Sequence, residues 1–411
     1  MKGNMDSQVD GYGLLQVNCT TRNNIPIENA EVAIFSESEP TEKIEEVRTD
    51  SAGMTEKLVL AAPPVELSLN INFIIEPYSE YSVLIEAEGF EPVNISGVEI
   101  LSTEAATQNG VLVPARNNEA GNEYVIPAHT LYGEYPEKIP EAEIKPMNTS
   151  GEIVLSRVVV PETVIVHDGA PSDSTARNYY VSYRDYIKNV ASSEIYATWP
   201  RETIKANVLA IMSFTLNRVY TEWYRNKGYE FTITSSTAYD QKWIHNRNVF
   251  DSISEGVDEI FNAYLSRPNV KQPILTQYCD GRQVSCPNWM TQWGSKSLGE
   301  QGYSAIEILR NYYGDSIYIN SADEIAGIPI SYPGYELDIG SYGDKVRHIQ
   351  EELDRIAQVY SNIPRIQADG IFGEKTQNAV REFQKTFDLP QTGVIDFRTW
   401  YKISQIYVGV T

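Results

Sequence analysis

The sequence is short of positive charge, of cysteine and histidine, and of long apolar runs, and each shortage closes off a class of function. Its 33 Lys and Arg stand against 56 Asp and Glu, a formal net charge of −23. A protein that binds nucleic acid needs a positive field to displace counterions, so DNA and RNA drop out as partners. No stretch approaches the ~20 consecutive apolar residues of a bilayer-spanning helix, so no transmembrane segment is expected. Residues 1–7 contain no apolar run of the kind that directs secretion; either a signal has been removed or export does not use one. Three cysteines, Cys19, Cys279 and Cys286, allow at most one disulfide within the chain and exclude a disulfide-built scaffold. Cys279 and Cys286 flank Asp280-Gly281 and leave three readings open: a disulfide, zinc ligation or two buried thiols. Zinc wants four ligands, or three and a water, and none of His129, His167, His245 and His348 has ligand spacing to the pair. No metal and no cofactor are expected.

What is present is a chain of 411 residues, more than one hydrophobic core usually supports. The expected fold class is multidomain: an N-terminal all-β sandwich, a central α+β domain and a C-terminal three-helix domain. Residues 1–12 are expected to be disordered. Residues 13–116 alternate short β-rich runs (14–17, 30–35, 57–60, 81–87) with turn chemistry such as Asp50-Ser51-Ala52-Gly53. Residues 117–157, rich in Pro, Glu and Asn, read as a linker, with an exposed cleavage site expected between 147 and 160. Acidity is concentrated here: residues 1–150 hold 25 Asp and Glu against 8 Lys and Arg.

The central domain, 158–325, opens with apolar runs at 158–160 and 164–166. An amphipathic helix is expected from Pro200 to Gly228, with Ile204, Val208, Ile211, Met212, Val219 and Trp223 on its apolar face. Strands are expected at 231–233 and 274–278, a helix at 257–265, and a capping box at Ser304-x-x-Glu307. Residues 335–411 carry three helical patterns: Val346, Ile349, Leu353 and Ile356; then Ala379, Val380, Phe383 and Phe387; then Trp400, Ile403 and Ile406.

Three stretches resemble known families. The order IENAEVAIFSE, TDSAGMT, YSVLIEAEGFEPV is similar to the carboxypeptidase-regulatory-like β-sandwich, here in the position of a pro-domain. Residues 337–400, with Gln350, Asp369-Gly370-x-Phe372-Gly373, Phe383-Gln384 and Thr399-Trp400, resemble the peptidoglycan-binding domain type 1. Their glycines are expected at turns of positive φ, and the polar groups at 369–376 are expected to meet the wall. Residues 189–314 resemble the SpoIID-type lytic transglycosylase domain, through Ser193-Glu194, Trp199-Pro200-x-Glu202-x-x-Lys205-Ala206, Asp240-Gln241, Met290-x-Gln292-x-Gly294 and Tyr312-Tyr313. The chain departs from that pattern at Ile211-Met212-Ser213-Phe214, where the family carries an arginine, and at Cys286-Pro287-Asn288-Trp289-Met290.

In this order the three resemble the spore cortex-lytic enzymes. The resemblance implies a glycan-cleaving enzyme of cortex peptidoglycan, made as a zymogen, activated by a subtilisin-like Csp protease and located at the spore cortex or the coat–cortex interface. It places the catalytic acid at Glu194 and a supporting lysine at Lys205. One carboxyl suffices for such chemistry: it protonates the leaving oxygen, then takes the proton of the muramic C6 hydroxyl as a 1,6-anhydro ring closes. A hydrolase normally adds a second acid ~5–9.5 Å away. Gln241 and Gln292 suit the amide and hydroxyl groups of amino sugars, and Asp240 and Tyr239 accompany them as substrate-binding candidates. Glu202 reads as a helix-dipole residue, and Glu222, Glu255 and Glu259 as solvated charges. The competing readings are a non-catalytic peptidoglycan-binding protein of the spore, a muramidase, and an amidase, for which no zinc triad or activated nucleophile is visible.

Overall fold

The computed structural model describes residues 11–22, 26–37, 39–73, 75–115, 121–145, 155, 157–322, 324–325, 333, 335–387 and 389–410. Most of the expected cleavage segment, and residues 1–10, lie outside these.

The N-terminal region builds eight strands: β1 (Gly11–Thr21), β2 (Glu31–Ser36), β3 (Glu39–Arg48), β4 (Leu58–Ala62), β5 (Ser79–Glu86), β6 (Val93–Ile100), β7 (Ala105–Leu112) and β8 (Asn122–Val125), with one helical turn, α1 (Glu66–Leu69), after β4. Alternation places Leu15, Val17 and Cys19 of β1 inside and their neighbours outside. The strand begins at Gly11 and pairs Gly11 with Ala62, so the first ordered strand reaches into the stretch expected to be disordered. One sheet runs β3-β2-β5-β6-β8. The other contains β7-β1-β4, with β1 parallel to β7 and antiparallel to β4. Their inner faces share one core, and they meet so closely that a Cβ on Gly110 would lie 2.2 Å from Ile85 Cδ1. Glycine is required there by the approach of the sheets. Strand β3 is exposed along almost its whole length; its charges protect a sheet edge and leave no apolar alternation to read.

Of the expected linker, residues 121–145 are described, and they are more than a linker. After β8 the chain lies along the central domain as a strap, burying His129, Leu131 and Lys145. Its backbone hydrogen-bonds to that domain, Thr130 N to Ser193 O (3.2 Å) and Ile139 N to Ala238 O (2.7 Å). Its partners lie far away in sequence, so composition alone makes it look unattached.

The central domain begins with β9 (Val159–Val160), β10 (Thr163–His167) and β11 (Asn178–Ser182), then α2 (Tyr183–Glu194) and α3 (Arg201–Tyr220). Helix α2 starts where the Ser182 side chain accepts from the Asp185 amide, and buries Tyr183, Tyr186, Ile187, Val190 and Ala191 at helical spacing. Helix α3 was expected to be amphipathic and to reach Gly228. It ends at Tyr220, and from Ala206 onward every residue is buried. It is the central rod of the domain, packed by α2, α4 (Asp251–Ile260), α5 (Gln292–Glu300), α6 (Ala305–Tyr313) and the strand β14 (Ala263–Ser266). A helix enclosed on all sides has no polar stripe. The helix expected at 257–265 is therefore two elements, α4 and β14, offset towards the N-terminus. The capping box at Ser304 and Glu307 is present.

Sandwich and central domain share one continuous core. A short central strand, β13 (Val249–Phe250 in chain order, before α4), adds to the sandwich sheet antiparallel to β7. Beside it Arg247 and Glu99, both with fully buried side chains, form a two-pronged ion pair. Arg247 also donates to Ser192 O at 2.9 Å. Burial pushes the Glu99 carboxyl up to about 7 despite the pull of Arg247.

The C-terminal helices, α7 (Asp344–Ala357), α8 (Glu374–Thr386) and α9 (Phe397–Val410), close a separate core on Val346, Leu353, Phe372, Val380, Phe383 and Trp400. Gly343 and Gly370 turn through positive φ, whereas Gly373, at φ −102°, does not need its glycine for that reason.

Two outcomes follow from the interface. A chain cut within residues 147–157 should elute as one species in gel filtration, with the sandwich fragment still docked; two separated peaks would contradict the shared core. Arg247→Met should lower the urea-unfolding free energy by about 3–5 kcal/mol, because it leaves Glu99 buried without its partner.

Candidate active site

Glu194 is the last residue of α2, and its carboxyl is buried, with the residue 3% exposed. Oε1 accepts a 2.7 Å hydrogen bond from the Lys242 amide. Gln292, the first residue of α5, donates Nε2 to the Glu194 carbonyl at 3.0 Å and stands 3.5 Å from Oε2. The Tyr278 hydroxyl, buried and without a partner at ordinary hydrogen-bond geometry, faces the same carboxyl. Strands β15 (Tyr278–Cys279) and β16 (Met290–Thr291) pair in parallel, Tyr278 opposite Met290, and bring Tyr278 and Gln292 to the lining of one cavity. A Cys279–Cys286 disulfide closes the loop between them, resolving the open readings of that pair. Among the described residues no cluster of three or more metal-ligating side chains occurs.

Burial raises the Glu194 pKa, and Lys138, the Lys242 amide and Tyr278 moderate the rise. The C-terminal end of a helix adds to it, since the helix dipole is negative there. A carboxyl pKa raised above its ordinary value is what a general acid needs.

The cleft in front of Glu194 has a volume of about 60 Å³. That is room for about two waters, against the ~300–1,000 Å³ of a ligand pocket. Its outer wall is the strap: Thr130, Tyr135, Pro136 and Lys138. The Lys138 side chain turns inward, its ammonium donating to Asp240 O and lying 4.9 Å from the Tyr278 ring centre. Burial lowers its pKa, and Glu194 and Asp240 draw it back up.

The other expected site residues are placed differently. Gln241 is buried behind Glu194 and saturated: Oε1 accepts from Tyr186 Oη (3.1 Å) and Thr215 Oγ1 (2.9 Å), and Nε2 donates to Ile211 O. Asp240 is equally enclosed, accepting from Arg218 Nε, Tyr224 Oη, Thr234 N and Thr234 Oγ1. Both hold the floor of the site and present nothing to a substrate. Tyr239 lines a neighbouring cleft with Trp223 and Tyr229. Lys205 pairs with Glu259 (2.6 Å) and Glu202 (3.7 Å), so its partners are surface carboxylates and not Glu194. Glu202 also accepts from the Ala305 amide, and Glu222, expected on a solvent face, is largely buried beside Arg225. In the C-terminal domain Thr376 is buried on Gln350, and Asp369 is held by Gln350 and the Ile371 amide, whereas Glu374 and Lys375 of the stretch expected to meet the wall are exposed. Lys138 and Tyr278 escaped the sequence reading: one sits in an apparent linker, the other in an apparent core strand.

Comparison with known proteins assigns two regions. Residues 172–265, which include Glu194, match the Stage II sporulation protein family SpoIID. Residues 342–403 match the family described as Putative peptidoglycan binding domain. No curated protein matches the chain. Among solved structures, the SleB N-terminal domain is 26% identical over 19% of this chain and 99% of that one, with a TM-score of 0.17. GBS52, the minor pilin of Streptococcus agalactiae, is 10% identical over 27% of this chain and 48% of that one, at 0.19. The 3-chlorocatechol 1,2-dioxygenase of Rhodococcus opacus 1CP is 11% identical over 27% and 63%, also at 0.19.

The site makes a pH-dependent prediction. Since the folded-state pKa of Glu194 lies above its ordinary 4.5, its favourable contribution is present below that value and is lost as pH rises through the raised one. Glu194→Gln should therefore melt higher than the parent at pH 8, the gain disappearing towards pH 4. Each kcal/mol recovered appears as roughly 2–4 °C in differential scanning calorimetry. A gain equal at both pH values would remove ionisation as its cause.

Proposed function

We infer that the two matched families make this a sporulation- or germination-related cell-wall protein with peptidoglycan as its partner and the spore wall or cortex as its setting. No helix among the described residues is long and apolar enough to cross a membrane.

We propose that the chain is a spore cortex-lytic enzyme of the SleC type, a lytic transglycosylase that cleaves the glycan backbone of cortex peptidoglycan to 1,6-anhydro products during germination. The observation that carries this reading is the buried Glu194, its pKa raised by burial and its carboxyl oriented by the Lys242 amide and Gln292. Its proton goes to the glycosidic oxygen of the leaving sugar as the C1–O bond breaks. The carboxylate then takes the proton of the muramic C6 hydroxyl as that oxygen bonds to C1, and the acid is restored. Tyr278 and Gln292 keep the carboxyl aimed through both steps.

A muramidase is the second reading, and Asp280 favours it: its carboxyl lines the same cavity. Both Asp280 oxygens, however, accept backbone amides, from Gln283 (2.6 Å) and Val284 (2.8 Å), which suits a loop brace better than a nucleophile.

The small volume left in front of Glu194 supports a zymogen. The strap and not the sandwich covers Glu194, so the activating event is a cut downstream of it, within residues 147–160, for which a subtilisin-like Csp protease is the proposed agent. Wall contact is assigned to the exposed Tyr342 and Ile371, which face each other across a β-bridge in the C-terminal domain.

On purified cortex sacculi the cut chain should release anhydro-muropeptides and the uncut chain very little. Products heavier by one water, with reducing ends, would make the enzyme a muramidase. Glu194→Gln in the cut chain should lose about 10²-fold or more of the rate and keep its binding to sacculi. Tyr342→Ala should lower co-sedimentation with sacculi roughly tenfold while the fold, checked by circular dichroism, is unchanged.

A further inference from the structure

Residues 138–145 lie along the central domain in the manner of a bound peptide. Gln277 reads two of their backbone groups, Nε2 donating to Ile139 O (2.7 Å) and Oε1 accepting from Glu141 N (2.8 Å). Gln272 repeats the pattern at Lys145, accepting from its amide (2.7 Å) and donating to its carbonyl (3.3 Å). Between them the Leu275 amide donates to Glu143 O at 2.8 Å. Two side chains of the segment turn onto arginines, each in a forked pair: Glu141 onto Arg218 (2.6 and 3.1 Å) and Glu143 onto Arg267 (2.7 and 2.8 Å). The Lys145 ammonium lies 4.2 Å over Trp223. Every recognising group belongs to the central domain and remains when the segment leaves.

A cut within residues 147–160 leaves this segment tethered only upstream, where His129 and Leu131 stay buried. A tail held at one end competes for its groove less well than a loop held at both, because the second attachment no longer raises its local concentration. Once the segment lifts, Arg218 keeps Asp240 but loses Glu141. A buried guanidinium with one face unpaired, and a second arginine with its carboxylate gone, favour a new pair of carboxylates. The two glutamines ask for an extended chain of amides between them.

We propose that this groove is a subsite for an extended acidic peptide, the stem peptide of the peptidoglycan substrate, and that residues 138–145 occupy it as a resident mimic until the chain is cut. This rests on the lytic reading above and names the part of the substrate that the groove takes. The geometry joins the two sites: Lys138, at the start of the segment, faces Glu194, so a peptide lying in the groove would start from the muramic unit whose bond is broken. Next to the groove, a cleft of about 520 Å³ bordered by Trp223, Lys227 and Tyr229 leaves room for a branch.

The test is calorimetric binding of the free stem tripeptide L-alanyl-γ-D-glutamyl-diaminopimelate to the full chain carrying a specific protease site within residues 147–157, before and after cleavage. The cut chain should bind at least about tenfold more tightly than the uncut one, and Arg267→Met should remove about tenfold of that gain. Glu141→Gln with Glu143→Gln in the uncut chain, which loosens the mimic without touching the groove, should move its affinity towards that of the cut chain. Equal affinity before and after cleavage, no binding to either form, or binding indifferent to Arg267→Met overturns the proposal. Cortex lysis is scored separately on the same preparations: peptide binding without lysis supports the subsite and refutes the lytic reading, and lysis without peptide binding overturns the subsite alone.

Discussion

The buried pair between Glu99 and Arg247 sets the relation on which the rest of the molecule depends. A carboxylate and a guanidinium taken fully out of water are costly, and that cost is offset only while the two stay in register. Arg247 comes from the central domain and Glu99 from the end of β6, so the register is also that of two domains. The same arginine holds the carbonyl of Ser192, two residues before Glu194. Thr130 holds the next carbonyl, that of Ser193, and His129 packs its ring against Tyr196, with centroids 4.6 Å apart. The end of α2 is thus fixed partly by the strap, from outside its own domain, and partly by an arginine whose partner lies in the sandwich, so the position of the Glu194 carboxyl depends on both. A sandwich that braces the site in this way is poorly described as a cover to be discarded.

The strap reconciles bracing with silence. Glu194 is buried because Tyr278, Gln292 and the Lys242 segment surround it, and that burial raises its pKa; the ammonium of Lys138, and to a smaller extent that of Lys242, works against the rise. The same residue stands in the wall of a cavity too small for a sugar. Charge and volume are therefore controlled by one segment, whose own carboxylates are anchored on Arg218 and Arg267. Glu141 shows how firmly: burial alone would lift its pKa, yet Arg218 and Lys145 bring it down to about 2.

Much of this was legible in the sequence, and the limits have physical causes. The C-terminal helices were readable because each keeps a regular apolar stripe over a small core of its own. Helix α2 carried the same signal in Tyr183, Tyr186, Ile187, Val190 and Ala191, and went unread beside its serines and asparagine. Helix α3 was visible but misjudged, since a rod buried on every side lacks the polar face that gives amphipathicity. Glu194 was reachable through its motif, whereas the roles of Asp240 and Gln241 were not. A polar residue that saturates its hydrogen bonds in the core and one that offers them to a ligand look alike in one dimension. The strap was hidden most thoroughly: its Pro- and Glu-rich composition is that of a linker, and its partners Arg218, Gln272 and Gln277 lie 77 to 136 residues away.

If the chain is the zymogen proposed above, the position of the strap between two fixed points makes cleavage a better switch than dissociation. The shared core, the β7–β13 pairing and the Glu99–Arg247 pair make separation of the domains comparable to unfolding one of them, so a switch that required it would be slow. A single cut alters none of those contacts. It converts a loop closed at both ends into a tail, and the change in free energy is confined to the segment that blocks the site. The bracing of α2 by Arg247 and Thr130 survives, so the carboxyl stays aimed while the groove opens. The proposed inhibition is separable from support in this architecture because the two fall to neighbouring lengths of one chain: residues 127–131 hold the helix end, and residues 135–145 line the site and the groove beside it.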